Sequence, residues 1–188
     1  MKNAIILHGM PGKDNYYNPK GPSQSNAHWL PWLQQQLVVH DIKADTPEIL
    51  YSFKPEWDLW VKEVKRFDMT PETSIVGHSC GGGFWIRYLS EHPEIFVDKV
   101  VLVAPWINVK HEIDISFFDF EIDPGIVARS NKFVIFVSDN DGKEVTDSVN
   151  YLKEKLPEAN FVTFHNYGHF CLKDMKTTEF PELLKELL

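Results

Sequence analysis

The sequence predicts an α/β protein, a three-layer α/β/α sandwich with a parallel sheet between two layers of helix, in a single domain over residues 1–188. Three observations predict it. Short Val/Ile-rich runs alternate with longer amphipathic segments along the whole chain. The runs are apolar at successive positions rather than at every second one, as in parallel strands buried on both faces. The glycines and polar residues with chemistry to offer stand just after the runs, at the carboxyl edge where open α/β sheets bind ligands.

Taken in order, Ala4, Ile5, Ile6 and Leu7 form the first strand, closed by the tight loop His8-Gly9-Met10-Pro11-Gly12. Residues 13–27 are rich in Asn, Pro, Gly and Ser and read as a long loop. Trp29, Trp32, Leu33 and Leu37 share one face of the first helix. Residues 42–49 read as a weaker second strand. Pro55 fits the first turn of a second helix, whose stripe of Trp57, Trp60, Val61, Val64 and Phe67 is core. Residues 74–76 are the third strand, residues 84–92 its helix, and residues 99–104 the fourth strand. The irregular segment 107–131 sets Asp114, Asp119, Glu121 and Asp123 among Phe117, Phe118 and Phe120. It is expected to cover the polar edge, making a partly apolar site with little affinity for anionic substrates. Residues 133–137 are the fifth strand, followed by a helix carrying Val145, Val149, Leu152 and Leu156. Residues 161–164 are the sixth strand. Phe180, Leu183, Leu184, Leu187 and Leu188 mark the last helix.

Composition narrows the function classes. The chain is 43% hydrophobic and 24% charged, with a net charge of -8. No Lys/Arg-rich run offers a nucleic-acid footprint. There is no Gly-x-Gly-x-x-Gly after the first strand and no Gly-Lys-Ser/Thr, which argues against a nucleotide-binding protein. The four apolar residues before His8 are too few for a signal peptide, and no run is long enough to span a membrane. Two cysteines, Cys80 and Cys171, lack metal-ligand spacing. A cytoplasmic protein with free thiols and no cofactor or metal is expected.

The third strand ends in Gly77-His78-Ser79-Cys80-Gly81 and runs straight into a helix. This is the layout of a nucleophile elbow, in which a sharp turn strains and exposes the serine while strand and helix pass closely enough to require small residues on either side. A serine hydroxyl needs a base, and the base needs an acid to orient it. His169, after the last strand, is the candidate base. Asp139 and Asp141, after the fifth strand, are both candidate acids, and spacing does not separate them. The candidate oxyanion donors are two backbone N–H groups, those of Cys80 and Met10.

With these residues in place, the chain resembles the α/β-hydrolase superfamily, and within it the small serine hydrolases similar to retinoblastoma-binding protein 9 and the bacterial YdeN proteins. The resemblance rests on the strand that opens the chain, the Trp29/Trp32 helix, Ile-Val-Gly-His-Ser-Cys-Gly-Gly, Ser138-x-x-Asp141 and Gly168-His169-Phe170. It implies an abbreviated hydrolase fold of about six parallel strands in the order 2-1-3-4-5-6. It selects Asp141 over Asp139 as the acid. It departs at Val145-Thr146, where many relatives carry a proline. The expected function is an esterase-like serine hydrolase acting on a small ester, thioester or amide through an acyl-enzyme. A protein-interaction module on the same scaffold, with an idle triad and a protein partner, is the alternative.

Overall fold

The computed structural model describes residues 1–113 and 115–188. Its strands are β1 (Asn3–Leu7), β2 (Lys43–Asp45), β3 (Thr73–His78), β4 (Val97–Val103), β5 (Ser130–Ser138) and β6 (Asn160–Phe164). They form one parallel sheet in the order β2-β1-β3-β4-β5-β6. The helices are α1 (Lys13–Tyr16), α2 (Leu30–Val39), α3 (Trp57–Val64), α4 (Cys80–Glu91), α5 (Lys143–Lys155), α6 (Leu172–Met175) and α7 (Pro181–Leu187). Every residue of β3 is buried, which requires cover on both faces. The chain winds one way from β1 to β2 and the other way from β3 onward. The carboxyl ends of β1 and β3 therefore flank the switch point, where such sheets bind ligands.

The helices follow from their apolar spacing. In α2, Leu30, Leu33 and Leu37 are buried, and Pro31 sits in the first turn, where its missing N–H is not needed. Trp29, just before it, meets Phe180 edge-on at 5.8 Å and joins α2 to the start of α7. Trp60 of α3 packs on Phe84 of α4 at 5.6 Å.

Four features depart from the sequence expectations. β2 pairs with β1 over only three residues. Pro47 offers the ladder no donor, and the Ile49 N–H is turned to the His8 ring instead. Glu56 is extended, so α3 starts at Trp57 and Pro55 lies outside it. Residues 13–27 contain α1 and a 3₁₀ turn at Gln24–Asn26 rather than loop alone. The segment 107–131 folds over α4 and not over the carboxyl edge. A Cβ on Gly83 would stand 2.1 Å from the Trp106 carbonyl and 2.6 Å from the Phe118 ring, so glycine there lets the segment lie flat on the helix. Phe117 enters the aromatic cluster at 5.3 Å from Trp60, and Arg87 donates to the carbonyls of Ser116 and Phe117. Asp114 of that segment lies outside the described residues.

Candidate active site

Ser79 occupies the sharp turn between β3 and α4 with φ 53° and ψ -119°, a conformation costly for a residue with a side chain. Backbone bonds hold it there. Its N–H donates to the Val103 carbonyl at 2.9 Å, and its own carbonyl accepts from Gly83 and Trp106, each at 3.1 Å. The closeness of strand and helix explains the flanking glycines. A Cβ at Gly77 would stand 2.5 Å from the Gly81 carbonyl oxygen, and one at Gly81 would stand 2.5 Å from that of His8. Cys80 is the first residue of α4, so its N–H has no acceptor within the helix. Its side chain is fully buried, and burial pushes the thiol pKa well up.

The loop after β1 lies against the serine. A Cβ on Gly9 would come within 3.0 Å of the Ser79 Cβ, and Met10 follows at once. His8 shapes this loop. Its Nε2 accepts the Ile49 N–H at 3.0 Å, so its Nδ1 carries the proton and donates to the Gly9 carbonyl at 2.8 Å. Burial lowers its pKa and keeps the ring neutral.

The loop after β5 is fastened to the loop after β6 residue by residue. Ser138 Oγ accepts the Tyr167 N–H at 3.0 Å. The Asp139 carboxylate meets His165 Nδ1 at 2.7 Å and accepts the Asn166 N–H at 2.9 Å. Asn140 Oδ1 accepts the Gly168 N–H at 2.8 Å. The Asp141 carboxylate meets His169 Nδ1 at 2.9 and 3.1 Å. Four consecutive residues thus hold five consecutive residues of the histidine loop, His165 to His169. The Asp141 side chain is 5% exposed and that of Asp139 is 41% exposed. Gly168 has φ 52°, and Phe170 is fully buried and stacked on Phe180 at 5.7 Å. The Gly-His-Phe run is therefore a tight turn, an imidazole at the cavity and an anchor.

Ser79 and His169 line one cavity of about 600 Å³ at the carboxyl edge. Gly9, Met10 and Pro11 form one wall. Asn15, Asn18 and Gln24 come from the segment before α2, and Cys171, Leu172 and Lys173 come from the far side. Burial pushes the Cys171 thiol up to about 11, so it is a poor nucleophile. Among the described residues, no group of three or more His, Cys, Asp or Glu side chains is arranged to hold a metal ion.

A model of the serine hydrolase family matches residues 20–187. The chain belongs to the serine hydrolase family. It is 25% identical over 191 residues to YdeN of Bacillus subtilis, described as a candidate hydrolase, covering 96% of this chain and 91% of YdeN. The crystal structure of the B. subtilis ydeN gene product superposes with a TM-score of 0.79 at 19% identity, over 98% of this chain and 96% of that one. A YdeN-like hydrolase from Pectobacterium atrosepticum gives a TM-score of 0.64 at 17% identity, over 99% and 91% of the two chains. Est1E from Butyrivibrio proteoclasticus, solved with ferulic acid bound, gives 0.65 at 12% identity, over 100% and 86%. These neighbours share the α/β-hydrolase fold.

In this serine hydrolase, two further histidines adjoin the site, His78 within the elbow motif and His28 outside any motif. His78 is 3% exposed, and its Nε2–H donates to the His169 carbonyl at 2.8 Å. Burial lowers its pKa well below 6.5, with the nearby His169 acting in the same direction. His28, with φ 58°, accepts the Leu172 N–H at Nδ1, 3.2 Å away. It ties the segment before α2 to the start of α6 across the cavity. The only signal for His78 was its place next to the serine. For His28 there was none, because its partner lies 144 residues away.

Proposed function

We propose that this serine hydrolase cleaves small esters, thioesters or amides through an acyl-enzyme formed on Ser79. The observation that carries the reading is that strained Ser79 shares a cavity with His169, whose Nδ1 meets the Asp141 carboxylate at 2.9 Å. Ser79 Oγ attacks the carbonyl carbon, and its proton passes to His169 Nε2. Asp141 keeps the His169 Nδ1 proton in place and stabilises the imidazolium. The Met10 and Cys80 N–H groups hold the oxyanion, the latter at the positive end of α4. The tetrahedral adduct collapses, the bond to the leaving oxygen, sulfur or nitrogen breaks, and that atom takes the proton from His169. Water then attacks the acyl-enzyme, gives a proton to His169, and releases the acid as Ser79 regains its own. The chemistry calls for no cofactor or metal. The free thiols of Cys80 and Cys171 support a reducing compartment such as the cytoplasm.

Labelling with a fluorophosphonate probe tests the reading. Wild-type protein is expected to label and Ser79→Ala is not. Folded wild-type protein that does not label would turn attention to the interaction-module alternative.

A further inference from the structure

His169 is held at three points by three separate parts of the chain. Its ring meets Asp141 after β5, its carbonyl accepts the His78 Nε2–H at 2.8 Å from the end of β3, and its N–H donates to Asp174 Oδ2 at 3.2 Å. The first two partners come from the sheet and its loops. Asp174 comes from α6, five residues along the chain. It also closes on the turn before the histidine. A Cβ on Gly168 would stand 2.6 Å from the Asp174 Cγ and 2.7 Å from its Cβ, so glycine is what lets the carboxylate reach this loop.

Packing alone does not account for α6. It is a single turn, too short to be stable by itself, and none of its residues is fully buried. Hydrogen bonds hold it instead. The Leu172 N–H is fixed by His28 Nδ1 across the cavity, and the Asp174 and Met175 N–H groups both donate to the Cys171 carbonyl at 2.9 Å. Lys176, left-handed at φ 61°, ends the turn. The chain doubles back after Phe170 in this way and sets one carboxylate on the His169 main chain. The charge of that carboxylate is felt in the cavity wall: after burial, Asp174 is the next influence that raises the Cys171 thiol pKa.

We infer that Asp174 is a positioning residue for His169, fixing the main chain from which the proposed base reaches Ser79. The inference rests on the hydrolytic reading above. Asp141 acts on the ring itself. The reach of Nε2 toward Ser79 depends also on where the backbone of residue 169 stands, and a misplacement near 1 Å costs about 100-fold in rate. What Asp174 supplies is an acceptor oxygen, which an amide can also supply and an apolar side chain cannot.

The test compares Asp174→Asn, which keeps an acceptor oxygen and loses the charge, with Asp174→Leu, which keeps the side-chain bulk and loses both. With 4-nitrophenyl butyrate, Asp174→Leu is expected to lower kcat about 10- to 100-fold with little change in KM, and Asp174→Asn to recover most of that loss. Equal losses in the two variants, a loss confined to KM, or an Asp174→Leu protein as active as wild type overturns the inference. If Asp174→Leu does not fold, Asp174→Ala serves as the acceptor-free variant. Hydrogen exchange of the His169 amide, followed by NMR, reads the bond without turnover. It is expected to be slow in wild type and Asp174→Asn, and about tenfold faster or more in the acceptor-free variant. That exchange pattern in a protein that neither cleaves the ester nor labels with the fluorophosphonate upholds the hold of Asp174 on His169 and sinks the hydrolytic reading. An active wild type whose His169 amide exchanges equally fast in all three proteins does the reverse.

Discussion

The buried ring of His78 donates its Nε2–H to the main-chain carbonyl of His169 at 2.8 Å, joining the residue before the proposed nucleophile to the proposed base across 91 positions of sequence. The two rings lie 5.0 Å apart. We propose that His78 acts as a positioning residue, holding the His169 backbone through this bond. His78→Ala is expected to lower kcat about 10- to 100-fold with little change in KM, since a displacement near 1 Å has that effect on proton transfer. His78→Gln, whose amide can reach the same carbonyl, should recover much of the loss. Steady-state kinetics on the two variants check this. Equal loss in both, or an effect confined to KM, would remove the positioning role.

The two aspartates after β5 differ in burial and in partner, and this separates them where spacing did not. Asp141→Asn is expected to cost about 10³- to 10⁴-fold in kcat, because an amide favours the wrong His169 tautomer. Asp139→Asn loosens only the outer part of the loop, through His165 and Asn166, and should cost a few-fold. The fluorophosphonate labelling rate of each variant reads the difference. The opposite ranking would move the acid to Asp139.

Strain at Ser79 is expected to weigh on stability. Ser79→Gly should abolish activity and raise stability by about 1 kcal/mol, because glycine tolerates φ 53° where serine does not. Gly77→Ala should destabilise by about 3 kcal/mol or more, since its methyl would meet backbone on α4 rather than a movable side chain. Urea unfolding of both variants measures the contrast. A less stable Ser79→Gly would show that the turn is not strained.

Two buried histidines give stability a pH dependence. His8 and His78 both have pKa values below 6.5 in the folded state through burial. Just below pH 6.5 the unfolded chain binds protons that the folded chain refuses, so stability rises with pH there. Their contribution is complete above pH 6.5 and is lost as pH falls toward the folded pKa values. The slope approaches about 1.4 kcal/mol per pH unit for each histidine. Urea midpoints at pH 7.5, 6.5 and 5.5 should fall in wild type and fall less steeply in His78→Gln. Parallel slopes would mean that His78 takes up its proton in the native state.

Local chemistry wrote much of this molecule legibly into the chain. The strand–turn–helix around Ser79 could be read because Gly77 and Gly81 are demanded by a contact four residues long. The six apolar runs could be read because burial on both faces leaves an uninterrupted Val/Ile signal. Their positions placed His8, Ser79, the pair Asp139 and Asp141, and His169 at one edge of the sheet, and in the structure these residues follow β1, β3, β5 and β6. The strand order came with the family resemblance, which the two motifs carried.

The remainder depends on distances between residues remote in sequence, which no local pattern encodes. Segment 107–131 carries the same aromatics whether it covers the cavity or α4, and Gly83 decides between them by leaving room for Phe118. Asp139 and Asp141 differ through their burial and through what the β6 loop presents to each. The roles of His78 and His28 exist only once residues 91 and 144 positions away have been brought to them.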